Sequence, residues 1–282
     1  MLARTGTGQL IETACWATWA NIAYAPPKVT LSEFWPRPLL NQPSRIFDLE
    51  RDRFYEKMCA LPGIVIPKTV RVSRSTLERL SIGQTDIYTL LPDAQFPIIV
   101  RPVNSHAGHG LEKIDAAAAM AAYLSSNPEK EFFIARFVDY SSADGLFRKY
   151  RVVFIDGRPF ACHMAIADEW KVWYLNANMG GNAGKREEEA RFMRDFDTDF
   201  AVRHAAAFKS IVDTIGLDYF GIDCGETKDG KLLLFEGETA MIVHDMDPPE
   251  VYPYKVPQMR KLFAAFVAML YRRARSGQAQ AA

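Results

Sequence analysis

Two Asp-Gly dipeptides, Asp156-Gly157 and Asp229-Gly230, each set between alternating apolar stretches, constrain this 282-residue chain more than any other feature. Asp-Gly suits the left-handed backbone of a two-residue hairpin turn, so residues 150–166 and 219–238 are predicted antiparallel hairpins. A two-residue turn at Asp229-Gly230 sets Asp223 directly opposite Glu236. Side chains alternate between the faces of a strand, so Glu238 shares the face of Glu236. Cys224 and Phe235 are then expected to point into the core behind.

Like charges facing each other across a sheet cost up to ~1 kcal/mol per pair. A bound cation removes that cost, and an all-oxygen donor set of Asp223, Glu236 and Glu238 suits magnesium or manganese better than zinc. Two such ions would neutralise phosphates and stabilise charge during phosphoryl transfer. The plain alternative is a solvated outer face with scattered acids. The apolar run Leu232, Leu233, Leu234, Phe235 speaks against it, because such a run belongs in a core.

Upstream, residues 96–103 read as a buried strand that enters the loop 104–110. Gly108 and Gly110 let a backbone approach a phosphate closely, and successive amides in such a loop form an anion-binding nest. Arg101 adds a fixed positive charge on the same side. The loop matches neither a Walker A motif nor the full dinucleotide pattern, and an ordinary surface turn is the competing reading. His106 and His109 read equally well as phosphate contacts or as exposed loop histidines. The remaining pattern predicts helices over 49–61, 75–80 (Ser75 as cap, Glu78 completing a capping box), an alanine-rich helix from Asp115 to 124, and helices over 185–195, 198–215 and 257–273. Short strands over 63–67 and 131–139 complete an α+β pattern.

Composition excludes several classes. Lys and Arg number 34 and so do Asp and Glu, which argues against a nucleic-acid partner. The cluster Arg272, Arg273 and Arg275 reads as a frayed helix end. Cys15, Cys59, Cys162 and Cys224 form no Cys-x-x-Cys pair, so neither a zinc site nor a disulfide framework is expected, and a reducing cytoplasm is the natural setting. No apolar run approaches the ~20 residues of a membrane span. The stretch 10–25 ends in a signal-like Ala23-Tyr24-Ala25, yet Glu12 interrupts it, and it reads as ordinary structure.

The pieces, in their order, resemble the ATP-grasp superfamily. The matching elements are Phe96-Pro-Ile-Ile-Val-Arg101-Pro with its glycine loop, then Glu131-Phe-Phe-Ile-Ala-Arg-Phe-Val, Arg151-Val-Val-Phe-Ile-Asp-Gly, and Gly221-Ile-Asp223 with Phe235-Glu236-Gly-Glu238. Asn41-Gln-Pro-Ser-Arg-Ile near Arg51, Arg148-Lys-Tyr-Arg-Val-Val and Leu217-Asp-Tyr-Phe-Gly-Ile-Asp223 are similar to RimK-like carboxylate–amine ligase domains, some of which end proteobacterial tetratricopeptide-repeat proteins. The resemblance covers about residues 41–270. It implies two α+β subdomains with mixed and antiparallel sheets gripping ATP: a reduced front segment over 1–45, a first subdomain over 46–137, a second over 138–275, and a disordered tail over 276–282.

By motif position the resemblance implies that Arg51 and Arg101 bind phosphate and that Ser105, His106, Gly108 and Gly110 cover it. The backbone of Ala135, Arg136, Phe137 and Val138 would read adenine, with Asp139 or Asp144 on the ribose. Arg151 would face the reacting phosphate, and Asp223, Glu236 and Glu238 would hold two magnesium or manganese ions. Two departures stand out. Glu238 replaces the family's usual asparagine, and Lys149 replaces an acidic residue often found two positions before the arginine. The front end is short for such a chain, so either the chain is truncated, or a partner protein or a second copy completes the surface.

The reaction implied is ATP-dependent ligation: a carboxylate takes the terminal phosphoryl group, and an amine then displaces phosphate from the acyl phosphate. No protein nucleophile is needed, which agrees with the lack of any Ser-His-Asp or Cys-His constellation. His163, Asn176, Asn178 and His244 are candidate substrate contacts, His163 being expected opposite Tyr150. A structural histidine is an equal reading for His163. Trp170, Trp173 and Tyr174 read as packing. The rivals are an ATP-grasp kinase acting on a hydroxyl and a nucleotide-binding module without catalysis.

Overall fold

A computed structural model describes residues 39–105 and 108–280, with side chains described through Arg275. The signal-like stretch at 10–25, His106 and the last two residues lie outside these.

The described residues form nine strands in chain order: β1 (Ile64–Val65), β2 (Thr69–Ser73), β3 (Ile98–Pro102), β4 (Glu112–Ile114), β5 (Glu131–Arg136), β6 (Phe147–Ile155), β7 (Arg158–Ala167), β8 (Tyr219–Glu226) and β9 (Leu232–Glu238). They form two sheets, one of five strands ordered β1-β9-β8-β6-β7 and one of four ordered β2-β5-β3-β4. Among the described residues only β1 and β9 pair in parallel; every other neighbour pair is antiparallel. Each sheet has its own buried apolar cluster. Separate sheets and cores, mostly antiparallel and joined by helices, make the chain α+β as the pattern predicts.

The helices are α1 (Pro43–Ile46), α2 (Arg51–Met58), α3 (Arg74–Ser81), α4 (Ile87–Leu90), α5 (Met120–Ser126), α6 (Ala183–Asp195), α7 (Phe200–Arg203), α8 (Ala205–Ile215) and α9 (Lys255–Gln280). Ser73, not Ser75, caps α3, its hydroxyl accepting from the Thr76 amide. Asn182 caps α6 through the Lys185 amide. The expected single helix over 198–215 breaks at His204. No side chain caps the turn before α5, and Asp115 stays outside it. The terminal helix is longer than expected at both ends. Leu49, Phe54 and Met58 differ from the expected first subdomain, since they pack in the core of the five-stranded sheet. Sequence proximity to β2 suggests one lobe, whereas the apolar face of α2 is buried against the other.

The two hairpins deliver the site. At Asp156-Gly157 the expected two-residue turn forms, with Ile155 paired to Arg158. Cys162 is then bulged out of register, so His163 faces Arg151 and not Tyr150. The second hairpin closes through a longer loop, Lys228-Asp229-Gly230, with Thr227 donating to Lys231 at 2.9 Å and Gly230 at φ +76°. The extra loop residue displaces the expected pairing by one, so that Cys224 faces Leu234. A bulge at Phe235 reverses that displacement, and Asp223 faces Glu236 after all. Phe235 is consequently half-buried beside a cleft, while Cys224 is fully buried as expected.

Candidate functional site

Cross-strand register assembles a row of four side-chain positions on adjacent strands: His163 on β7, Arg151 on β6, Asp223 on β8 and Glu236 on β9. Residues opposite one another on one sheet face are close neighbours, so the row is a direct product of the two bulges. Its members Arg151, Asp223 and Glu236 line a cavity of about 470 Å³ between the two sheets, and His163 lies outside that lining. Arg51, Arg101, Gly108, Ala135, Arg136, Phe137, Val138, Arg151, Asn176, Asp223, Glu236 and Glu238 all line it.

Asp223 is 1 % exposed and paired with two cations. Its Oδ1 accepts from Arg151 Nε at 2.7 Å, and its Oδ2 accepts from Arg151 Nη2 at 3.0 Å and from Lys149 Nζ at 2.9 Å. Burial alone pushes a carboxyl towards its neutral form. Here the ammonium of Lys149 and the two-point guanidinium of Arg151 outweigh it and hold the acid well below its ordinary range. The same pairing raises Arg151 against the burial that works to deprotonate it.

The other half of the charge cluster forms on β9. Arg51, from α2, pairs with Glu236 and also donates to the Phe235 carbonyl at 3.1 Å. That carbonyl belongs to the bulged residue, so the arginine satisfies a backbone acceptor at the point where the ladder is interrupted. Arg101, only 8 % exposed, lies 4.0 Å from Glu236. Its guanidinium donates to the carbonyl and hydroxyl of Ser105, which tie strand β3 to the start of the glycine loop. Burial and the charge of Arg51 pull Arg101 down to about 10, which still leaves it cationic at neutral pH.

Aromatic rings line the same cleft. Phe137 meets Trp170 edge-on at 5.7 Å, Tyr140 meets Phe235 at 4.9 Å, and the Tyr140 hydroxyl donates to the Trp170 carbonyl at 2.6 Å. Trp170 therefore lines the cleft as well as packing, and Trp173 and Lys171 line it beside Trp170. Strand β5 ends at Arg136; Ala135 is committed to pairing on both sides, and the Phe137 amide donates to Pro97 at 3.1 Å. Of the four residues expected to read a base, Val138 is the first beyond these bonds.

Several expected residues serve elsewhere. Gly110 at φ +61° is structural: a Cβ there would sit 2.6 Å from Asn127 Oδ1 and 2.7 Å from Pro102 Cδ. Asp139 caps the Ser141 amide and pairs with Lys228, and Asp144 pairs with Arg148. His163 packs on Tyr174 at 4.9 Å, and burial together with Arg151 lowers it well below the ordinary histidine range. Asn178 adopts φ +50° outside the cavity lining, and His244 Nδ1 accepts from the Met246 amide at 3.3 Å. The residue that motif reading left without a role is Lys149. Alternation places it on the face of Arg151, two residues away, and that signal was available in the sequence.

The residues of the expected metal triad have other partners in this geometry. Among the described residues no group of three or more His, Cys, Asp or Glu is arranged to hold a metal ion. Both oxygens of Asp223 are engaged by Lys149 and Arg151, and Glu236 is paired with Arg51. The donors do not fit a two-ion site.

No family model and no curated protein matches the chain. Solved structures do. The D-alanine–D-alanine ligase of Coxiella burnetii superposes with a TM-score of 0.53 at 12 % identity, covering 89 % of this chain and 65 % of that one. The VanG D-Ala:D-Ser ligase of Enterococcus faecalis gives 0.49 at 14 %, covering 79 % and 61 %. A RimK-domain ATP-grasp protein of Sphaerobacter thermophilus gives 0.49 at 12 %, covering 89 % and 77 %. The chain thus spans under two thirds of the length of both ligases. At these identities the likeness is one of fold.

Proposed function

Starting from a chain with the ATP-grasp fold, we propose an ATP-dependent enzyme that activates a carboxylate and joins it to an amine. The observation that carries this reading is one cleft lined both by the cations Arg51, Arg101, Lys149 and Arg151 and by the aromatic rings of Phe137, Tyr140 and Trp170. Such a pairing suits a polyanion joined to a flat base. The C. burnetii neighbour is a D-alanine–D-alanine ligase, an amide-forming enzyme in keeping with this reading.

In the reaction, a substrate carboxylate oxygen attacks the terminal phosphorus of ATP, and ADP leaves with the electron pair of the bridging bond. Charge builds on the phosphoryl oxygens, where Arg101 and Arg51 offset it from fixed positions in a half-dry cleft. Arg151, anchored by Asp223, presents its guanidinium to the acyl phosphate. An amine then attacks the acyl carbon, loses a proton, and phosphate departs. Asn176, at the cleft mouth with its Oδ1 held by the Trp173 amide at 3.0 Å, is positioned to meet the acid or the amine.

The test is a phosphate-release screen of amino acids, dipeptides and peptides with ATP, followed by mass spectrometry. ADP formation that requires a carboxylate, and amide product that requires an added amine, are the expected results. ADP formation with phosphorylation of a hydroxyl overturns the ligase in favour of a kinase. The pairing of Asp223 with Lys149 and Arg151 supports a second reading, a nucleotide-binding module, for which ATP binds and is not consumed by any pair.

A further inference from the structure

The cleft lining sets six cationic side chains (Arg51, Arg101, Arg136, Lys149, Arg151, Lys171) against three carboxylates (Asp223, Glu236, Glu238). A divalent ion at Asp223 would have to compete with an ammonium and a guanidinium that engage both carboxylate oxygens at 2.7–3.0 Å and use three of their four acceptor sites. Those groups would remain within the same cleft, beside a doubly charged ion, and like charges at such distances repel. The position next to Asp223 is therefore already occupied, by a charge that the chain supplies itself. Lys149 can fill it because it lies on β6 two residues before Arg151 and shares its face. Its side chain is 16 % exposed, so its charge is only partly screened by water.

We propose that the Lys149 ammonium, locked with Arg151 onto Asp223, takes the place of a divalent ion, so that the chain holds a nucleoside triphosphate through its own cations. The proposal rests on the nucleotide reading above and deepens it. An ammonium supplies a single charge and three movable donors where a metal supplies two charges and a fixed coordination sphere. Neutralisation of phosphate is kept, and it no longer depends on the metal concentration. Lys149 is thus a binding residue for the triphosphate, and Asp223 is the group that positions it.

The experiment is calorimetric titration of the full chain with the non-hydrolysable analogue adenylyl imidodiphosphate, once in EDTA and once in magnesium. Wild type is expected to bind in EDTA within about tenfold of its affinity in magnesium. Lys149→Met removes one charge-assisted contact and is expected to weaken binding in EDTA by about 10- to 100-fold. Lys149→Arg keeps the charge and is expected to stay within that tenfold limit. Wild-type binding more than tenfold weaker in EDTA, or a Lys149→Met variant that binds in EDTA like wild type, overturns the proposal and leaves the nucleotide reading standing. No binding in either buffer overturns both. If Lys149→Met fails to fold, as judged by circular dichroism, the wild-type comparison alone decides.

Discussion

Replacing Asp223 by Asn tests the charge cluster most directly. The amide keeps the size and much of the hydrogen-bonding capacity of the acid, while Lys149 and Arg151, each 16 % exposed, lose their anion. Breaking a buried ion pair by removing one partner costs about 3–5 kcal/mol, and the residual exposure of the two cations points to the lower end, ~3 kcal/mol. For a domain of this size that corresponds to a fall in Tm of roughly 6–12 °C. The pH dependence has a definite sign. The carboxyl is held below its ordinary value of 3.8 because Lys149 and Arg151 outweigh the effect of burial. A depressed carboxyl contributes stability that is complete above its unfolded value and is lost as pH falls through the folded one. The gap between wild type and Asp223→Asn should therefore be full at pH 7 and shrink only below about pH 4. Thermal melts followed by circular dichroism from pH 3 to pH 8 read both effects. A Tm change under ~2 °C at pH 7, or a gap that widens on acidification, would refute the reasoning about the clamp.

Gly110→Ala places a methyl group 2.6 Å from Asn127 Oδ1 and forces a left-handed backbone on alanine, so a loss of about 1–3 kcal/mol is expected in urea unfolding; an unchanged midpoint would show that the glycine loop is not braced there. Trp170 lines the cleft edge-on to Phe137, so adding a nucleotide should change tryptophan emission, and Trp170→Phe should remove most of that change; emission that ignores nucleotide in a chain shown to bind it would separate the aromatic rings from the base.

Among the described residues no helix is long and apolar enough to cross a membrane. More of the site was legible than its route suggests. The pairing of Asp223 with Glu236 follows from an assumed two-residue turn, but the chain reaches it by a three-residue loop and a compensating bulge at Phe235. Nothing local marks that bulge. It depends on Arg51, from a distant helix, accepting the role of partner to the freed carbonyl.

Short-range chemistry thus settled from the sequence where chains turn and which side chains share a face, because Asp-Gly turns and strand alternation act over two to four residues. That Asp223 faces Glu236 was readable from the turn position, whereas the expectation that Arg51, Arg101 and Arg151 stand near them came from the family resemblance. What the acids do there was decided by packing. Whether facing carboxylates attract a metal or a side-chain cation depends on burial and on the charges brought across from other strands. Lys149 sits 74 residues from Asp223 along the chain and within 2.9 Å of it in space. Only the tertiary structure closes that distance, and with water excluded around Asp223 the Lys149 ammonium becomes its counter-ion.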